Sequence, residues 1–561
     1  MAGCRAPQPL VIHMQRPLLF LAALALPVPA GACGGLFCNV DAPVDQAGEQ
    51  IAFGVDAASG TTTVHVQVTY QGASEDFAWV VPVPAEPDLG VSSQSLFTAL
   101  NQRTEPVHYL EYNYIGDCGW RWEDSGDWDE DADFDADTDA DTASGGDGVT
   151  IVAQEQVGPY DTVTLQAESA EALLTWLQAN EYDLPSTLDT ALAPYVAGEQ
   201  YFVALKLSAG NDTGDLRPLA MTYDGTAASI PLQLTSVAAT PDMRLTVYVL
   251  GRARAVPDNY LHVVPNDGAI DWFSGGANYE DVITLAANEA GGQAFATDSS
   301  MAANDPIWWD GNYDVEALRR ADGPVDWVGV VTRSGLPANA QLLDVLQRTV
   351  PVPDSLVAEG LSPTSFYNCV ECYADAIDLP NFTAEAATLV LEQEMVEGLR
   401  AANDLIERHA HITRLTSSMD AAEMTMDPMF VFNADLPQQV DRFRSATLTV
   451  DCNSAPNDLS EAERTLTLPD GRILPVQSER DLLDQGISAF ESLDAYTRPA
   501  AILIEDLSAD GQGEIIADFR ETVPDGLTEG TGCGCEAGGG APWSVGVLLV
   551  GLLGLRRRRT A

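Results

Sequence analysis

Positive charge is the first thing this chain lacks. Of 561 residues, 27 are Lys or Arg against 84 Asp or Glu, a formal net charge of −57, and Lys206 is the only lysine. A surface this negative repels phosphate backbones and anionic lipid headgroups, which excludes nucleic acid as a partner and suits solubility or loose cation binding. Histidine is nearly as scarce, with six in all. The five beyond the leader are His65, His108, His262, His409 and His411. None forms the four-apart helical pair of a zinc protease; His409 and His411 are two apart, point to different faces, and read as a solvated helix end. His65 falls on the polar side of an alternating strand and is expected to meet water. There is no Gly-x-Ser-x-Gly elbow and no phosphate-cradling glycine loop. Acidic pairs are too plentiful for any to be singled out as a glycosidase dyad. No catalytic, cofactor-binding or metal-ligating residue can be named from these absences, and they lean away from an enzyme. A secreted hydrolase with carboxylates concealed in the acidic surplus is the alternative.

What is present lies first at the two ends. Met14-Gln15-Arg16, the apolar run Leu18–Leu26 and the small residues Ala30-Gly31-Ala32 form a secretory signal peptide. Cleavage after Ala32 would leave Cys33 at the N-terminus, although a lipobox would carry Leu in place of Ala30. At the other end, Gly532-Cys533-Gly534-Cys535 leads through a glycine spacer into the largely apolar stretch Ala541–Leu555 and the cluster Arg556, Arg557, Arg558 and Arg559. Those 15 residues make a helix of about 22 Å, short of the roughly 30 Å hydrocarbon core, so the tail is a short transmembrane helix that anchors marginally. The arginines favour the cytoplasmic side and place the body outside the inner membrane. This tail resembles the Myxo-CTERM sorting signal of myxobacterial surface proteins. The resemblance implies export machinery and a sorting protease as partners, transient residence in the inner membrane, modification at Cys533 or Cys535, and delivery to the cell surface or outer envelope.

The body between them reads as α+β: a mostly β, sandwich-like body with helical insertions and a more helical C-terminal half. Gln50–Asp56 is a candidate strand, and Thr61–Tyr70 alternates Val64, Val66 and Val68 against Thr63, His65 and Gln67 with a period of two. Phe77–Val81 is a buried strand that Pro82 should end. Helices are expected at Ser93–Gln102 with Ser93 as N-cap, Ala170–Ala179, Ser186–Val196, Asn339–Thr349 and Thr383–His409, and short β-rich runs at Tyr201–Lys206, Ile230–Leu234 and Leu245–Val249. Trp308-Trp309 is either a sugar-binding platform or, more simply, a core anchor. The expected division is a leader over 1–32, a β-rich domain over 33–298 with a disordered acidic insertion at 123–148, a helix-rich subdomain over 299–475, an extension and linker over 476–531, and the tail over 532–561. The run Asp127–Asp141 self-repels and lacks the Gly and Glu of a calcium loop at Ala136 and Thr142, leaving weak Ca²⁺ binding as its one cofactor reading. Six body cysteines, Cys33, Cys38, Cys118, Cys369, Cys372 and Cys452, argue for disulfides in an exported chain. Cys33 with Cys38 would close a short loop, and the other four allow three pairings.

The segment Ala32–Cys38, the strand Gln50-Ile51-Ala52-Phe53 and the block Asp76-Phe77-Ala78-Trp79-Val80-Val81-Pro82-Val83-Pro84 resemble the bacterial DUF2330 family. Residues Thr416–Leu436 fit it as well, so the resemblance extends from Cys33 to about Arg472. It implies a secreted protein and transfers no catalytic residue.

Overall fold

The computed structural model describes residues 36–37, 45–71, 78–116, 118, 149–180, 182, 188–208, 216–303, 306–308 and 310–523. The leader, the acidic run and the tail, with their expected helix, cysteines and arginines, lie outside the described residues. Among the described residues, no helix is long and apolar enough to cross a membrane.

A mixed ten-stranded sheet organises the α+β fold. From one edge to the other it runs Glu514–Asp518, Ala501–Asp506, Leu261–Pro265, Ala294–Ala302, His411–Met419, Ala239–Gly251, Asp45–Asp56, Thr61–Gln71, Leu219–Asp224 and Asp88–Val91. Two of its pairings are parallel, Leu261–Pro265 with Ala294–Ala302 and Asp45–Asp56 with Ala239–Gly251. The expected boundary at 298/299 falls inside strand Ala294–Ala302. Two strands from the expected extension 476–531 pair into the same sheet as the N-terminal strands. Sequence neighbours therefore do not delimit the units here; strand pairing does.

Both faces of this sheet are covered. On one, Ile51, Phe53, Val64, Val66, Val247 and Val249 interdigitate with Val81, Val83, Val203 and Leu205 of a five-stranded antiparallel sheet, giving a sandwich. That second sheet runs Leu36–Phe37, Ala78–Val83, Tyr201–Leu207, Tyr160–Ala167 and Val149–Val157. Helices Ala170–Ala179 and Leu188–Ala197 cap its outer face through Leu173, Trp176, Leu177, Leu188 and Leu192. The strand Ala78–Val83 carries Pro82 within it. Leu36–Phe37 pairs only with Ala78 and Trp79, so the strand is an edge from Val80 onward, where a residue without an N–H is tolerated.

The opposite face of the ten-stranded sheet is shared. Ala52, Tyr248, Leu250 and Ile412 pack under a helical lobe through Leu96, Phe97, Leu399 and Leu405, while Val263, Ala294, Ala296 and Ile504 pack under helix Tyr279–Glu289 and a four-stranded sheet. That sheet runs Ile473–Val476, Glu463–Thr467, Phe443–Asp451 and Val107–Ile115, the last pair parallel. At the junction Asp298 accepts from Tyr279 at 2.7 Å and from Thr416, with Arg414 Nε 2.9 Å away, a buried ion pair holding three bodies together.

In the helical lobe the long expected helix is two α-helices, Ala384–Leu391 and Glu397–Arg408, joined by a π-turn at Glu392–Val396. Apolar residues four apart drift about 40° per step around an α-helix. One wider turn cancels that drift, and Ala387, Leu391, Met395 and Leu399 all end buried. Two carbonyls in the π-turn find partners: Ser93 and Ser95 donate to Glu394 O at 2.7 Å and Met395 O at 2.8 Å. Ser93 caps helix Gln94–Thr104 and Thr383 caps Ala384–Leu391, as read from the sequence. Ile230–Leu234, read as β-rich, instead contributes a helical turn, Leu232–Thr235; a short apolar run fits either period.

Candidate functional site

The sandwich is not filled throughout. Between strands Asp45–Asp56 and Thr61–Gln71 on one side and Ala78–Val83 on the other lies a pocket with about 550 Å³ of empty space, part of it open to solvent. Its walls are Ile51, Phe53, Val64, Val66, Trp79 and Met221, with Ile230 and Pro231, which lead into the helical turn, and Leu234 within it at one end. Strand Ala78–Val83 lies near the edge of its sheet, and that position leaves the space between the sheets open there.

One carboxylate, Glu49, is among the lining residues. It has the parity of Ile51 and Phe53 and so points into the sandwich, where it is 5% exposed. Gln46 Nε2 donates to its Oε2 at 3.2 Å. Burial pushes its pKa up to about 7, the Gln46 hydrogen bond opposing the rise. The carboxyl is therefore poised between forms at neutral pH, a hydrogen-bond donor when protonated and a charge in an apolar site when not. Tyr223, also in the wall, is pushed up to about 12 by burial and donates to Ala227 O at 3.1 Å.

The sequence placed the strand's start at Gln50 and so missed Glu49. Carrying the period-two reading one residue further toward the N-terminus would have turned Glu49 inward. A register shift between Gln46 and Gly48 lets Gln46 fold back on it.

The three histidines read as solvent-facing, His65, His409 and His411, are buried. His65 is 8% exposed and shares a 2.9 Å hydrogen bond with Ser92; burial lowers its pKa to about 4. His409 and His411 are not a solvated helix end. His409 Nδ1 lies 2.7 Å from Leu405 O, and His411 opens a strand with Nε2 2.7 Å from Ser300 Oγ. His108 packs its ring against Trp272 and Tyr279. Trp308 is buried and donates to Gly335 O at 3.1 Å, the core-anchor alternative; Trp309 lies outside the described residues. Of the candidate cysteines, Cys118 is bonded to Cys452, joining the ends of the parallel strands Val107–Ile115 and Phe443–Asp451, and Cys369 is bonded to Cys372. Cys33, Cys38, Cys533 and Cys535 lie outside the described residues, as do Arg556, Arg557, Arg558 and Arg559. Among the described residues no three His, Cys, Asp or Glu side chains are grouped to hold a metal ion.

Fold and pocket thus define an α+β sandwich protein with an apolar space between its sheets and a single carboxylate inside it. The chain belongs to the family described as an uncharacterized protein conserved in bacteria (DUF2330), whose profile matches residues 27–314. The match takes in every pocket residue named above and ends well before Thr416–Leu436, so the wider resemblance to about Arg472 reduces to its first part. No curated protein and no solved structure matches the chain.

Proposed function

We propose that this protein is an exported cell-surface or envelope binding module, non-enzymatic at this pocket, that holds a small apolar molecule between its two sheets with Glu49 as the polar handle. The pocket carries the reading, because two of the sequence blocks that resemble the family, Gln50–Phe53 and Asp76–Pro84, supply its walls. A concave apolar site with one convergent polar group is the general form of a small-molecule site. The signal peptide and the sorting tail support export, with passage through the inner membrane and handling by a sorting protease before the body reaches the surface.

The neutral dye N-phenyl-1-naphthylamine tests the pocket. Its fluorescence should rise saturably on titration with the purified body, and Val66→Phe, which fills the space, should abolish most of that rise. A folded wild-type protein giving no saturable signal would refute the binding role. For the address, replacing Cys533 and Cys535 together by Ala should leave export intact and trap uncut protein in the inner membrane; a variant reaching the surface at wild-type length and level would make the tail a simple anchor.

A further inference from the structure

We infer that Thr297 is an acyl-accepting nucleophile, activated by His262 and Glu505 and flanked by Arg254, in a second site that cleaves small esters. Three adjacent strands each supply one member. Glu505 stands directly opposite His262 across the antiparallel pairing of Ala501–Asp506 with Leu261–Pro265. His262 stands opposite Phe295 in the parallel pairing with Ala294–Ala302, so Thr297, two residues on, shares its face.

The contacts form one chain. Glu505 Oε2 lies 3.0 Å from His262 Nδ1, His262 Nε2 lies 3.0 Å from Thr297 Oγ1, and Arg254 Nη2 donates to the same Oγ1 at 3.3 Å. Only one proton arrangement satisfies all three. Arg254 can only donate, so Thr297 Oγ1 accepts from it, and the hydroxyl's own hydrogen is left for Nε2. An ionised Glu505 can only accept, which places the ring proton on Nδ1 and leaves Nε2 bare. That is the carboxylate, imidazole and hydroxyl order of an acyl-transfer triad, identified by geometry and roles and not by sequence position. Burial holds the His262 pKa below its ordinary value, which keeps the ring neutral and its Nε2 free to accept a proton.

The backbone supports an aimed side chain. Strand Ala294–Ala302 has a register shift between Thr297 and Ser299, so Asp298 is the extra residue and sends its carboxylate to Arg414 on the other face. Bulges re-aim neighbouring side chains. The His262 side chain is 5% exposed and that of Glu505 20%, so the base is shielded from water, while Thr297 is only part-buried. Arg254 is itself held from the far side by Pro437 O at 3.3 Å and by Gln438 at its backbone N–H, under the loop that follows strand Met429–Phe432. That roof favours a small acyl group.

In the step, Thr297 Oγ1 bonds to the ester carbonyl carbon as its proton passes to His262 Nε2. The tetrahedral adduct collapses, the alkoxide leaves with that proton as an alcohol, and Thr297 carries the acyl group. Water then adds to the acyl carbon, giving a proton to Nε2, and the acid leaves as Thr297 regains its hydrogen. Arg254 offsets negative charge at the reacting oxygens.

The test is p-nitrophenyl acetate with the intact purified body, read as p-nitrophenolate release and as an acetyl adduct by peptide mapping. Wild type should show a burst stoichiometric with protein and an adduct on Thr297. Thr297→Val should lose about a hundredfold or more in rate, Thr297→Ser should retain it, and His262→Gln should lose it with its melting temperature checked alongside. A folded wild type with no adduct on Thr297, or a folded Thr297→Val with undiminished rate, overturns the assignment. If His262→Gln does not fold, the Val and Ser pair at Thr297 decides the matter.

Discussion

Replacing Glu49 by Gln should stabilise this protein, and only at the alkaline side. Glu49 titrates near 7 in the folded chain against an ordinary 4.5, so the folded state holds its proton more tightly than the unfolded one. A carboxyl shifted upward contributes nothing adverse below about pH 4.5. The cost then grows as pH rises, and it is complete above about pH 7. At about 1.4 kcal/mol for each tenfold change in proton affinity, the full cost is about 3 kcal/mol. Gln is nearly isosteric, keeps an oxygen for Gln46 Nε2, and never ionises. Urea unfolding monitored by circular dichroism should therefore give Glu49→Gln and wild type the same midpoint at pH 4.5, with the variant ahead at pH 8.5 by up to about 3 kcal/mol. Equal midpoints at both pH values, or a variant weaker at pH 8.5, would refute the buried, apolar setting assigned to this side chain and with it the polar handle of the pocket.

Four further outcomes can be checked. His65 and His108 are both held near 4, so the unfolded chain takes up protons that the folded one refuses between pH 6.5 and 4, and stability should fall across that window; His65→Asn should flatten part of the fall in a series of thermal melts. Asp298→Ala strands Arg414 in the three-body junction and should lower stability by about 3 to 5 kcal/mol in urea titrations. Gly398→Ala would put a Cβ 2.1 Å from Ser95 Oγ and should destabilise the helical lobe by about 1 to 3 kcal/mol, seen as faster local hydrogen exchange over Gln94–Thr104. Cys118 and Cys452 are 334 residues apart and Cys369 and Cys372 three, so unfolded-chain entropy assigns about 5.8 and about 1.6 kcal/mol to the two bridges; Ala pairs should differ accordingly in denaturant midpoint.

Much of the body was legible because its elements declare themselves locally. The alternation of Thr61–Gln71, the caps at Ser93 and Thr383, and the helix Ala170–Ala179 stand where their residues placed them. The misreading of His65 has a plain cause. Periodicity reports which residues are apolar and is silent on what covers the polar side: His65 alternates outward, but the side it points to is roofed by the helical lobe, with Ala52 beside it. The Glu505, His262 and Thr297 row could not be read at all, since 35 and 243 positions separate its contacts and no motif spans them. It exists only because a C-terminal strand returns to a sheet begun near the N-terminus.

The bridge from Cys118 to Cys452 has a consequence for a chain that is cut between them. A cut anywhere from Gly119 to Gly148 would divide the chain into two polypeptides, only the second of which retains the C-terminal tail. The shorter one would still be tied by that bond to the longer and woven into it, since Asp45–Asp56 lies between Ala239–Gly251 and Thr61–Gln71. Nicked molecules would therefore stay assembled as a two-chain form, with the unchanged size on a non-reducing gel giving way to two bands once the bond is reduced.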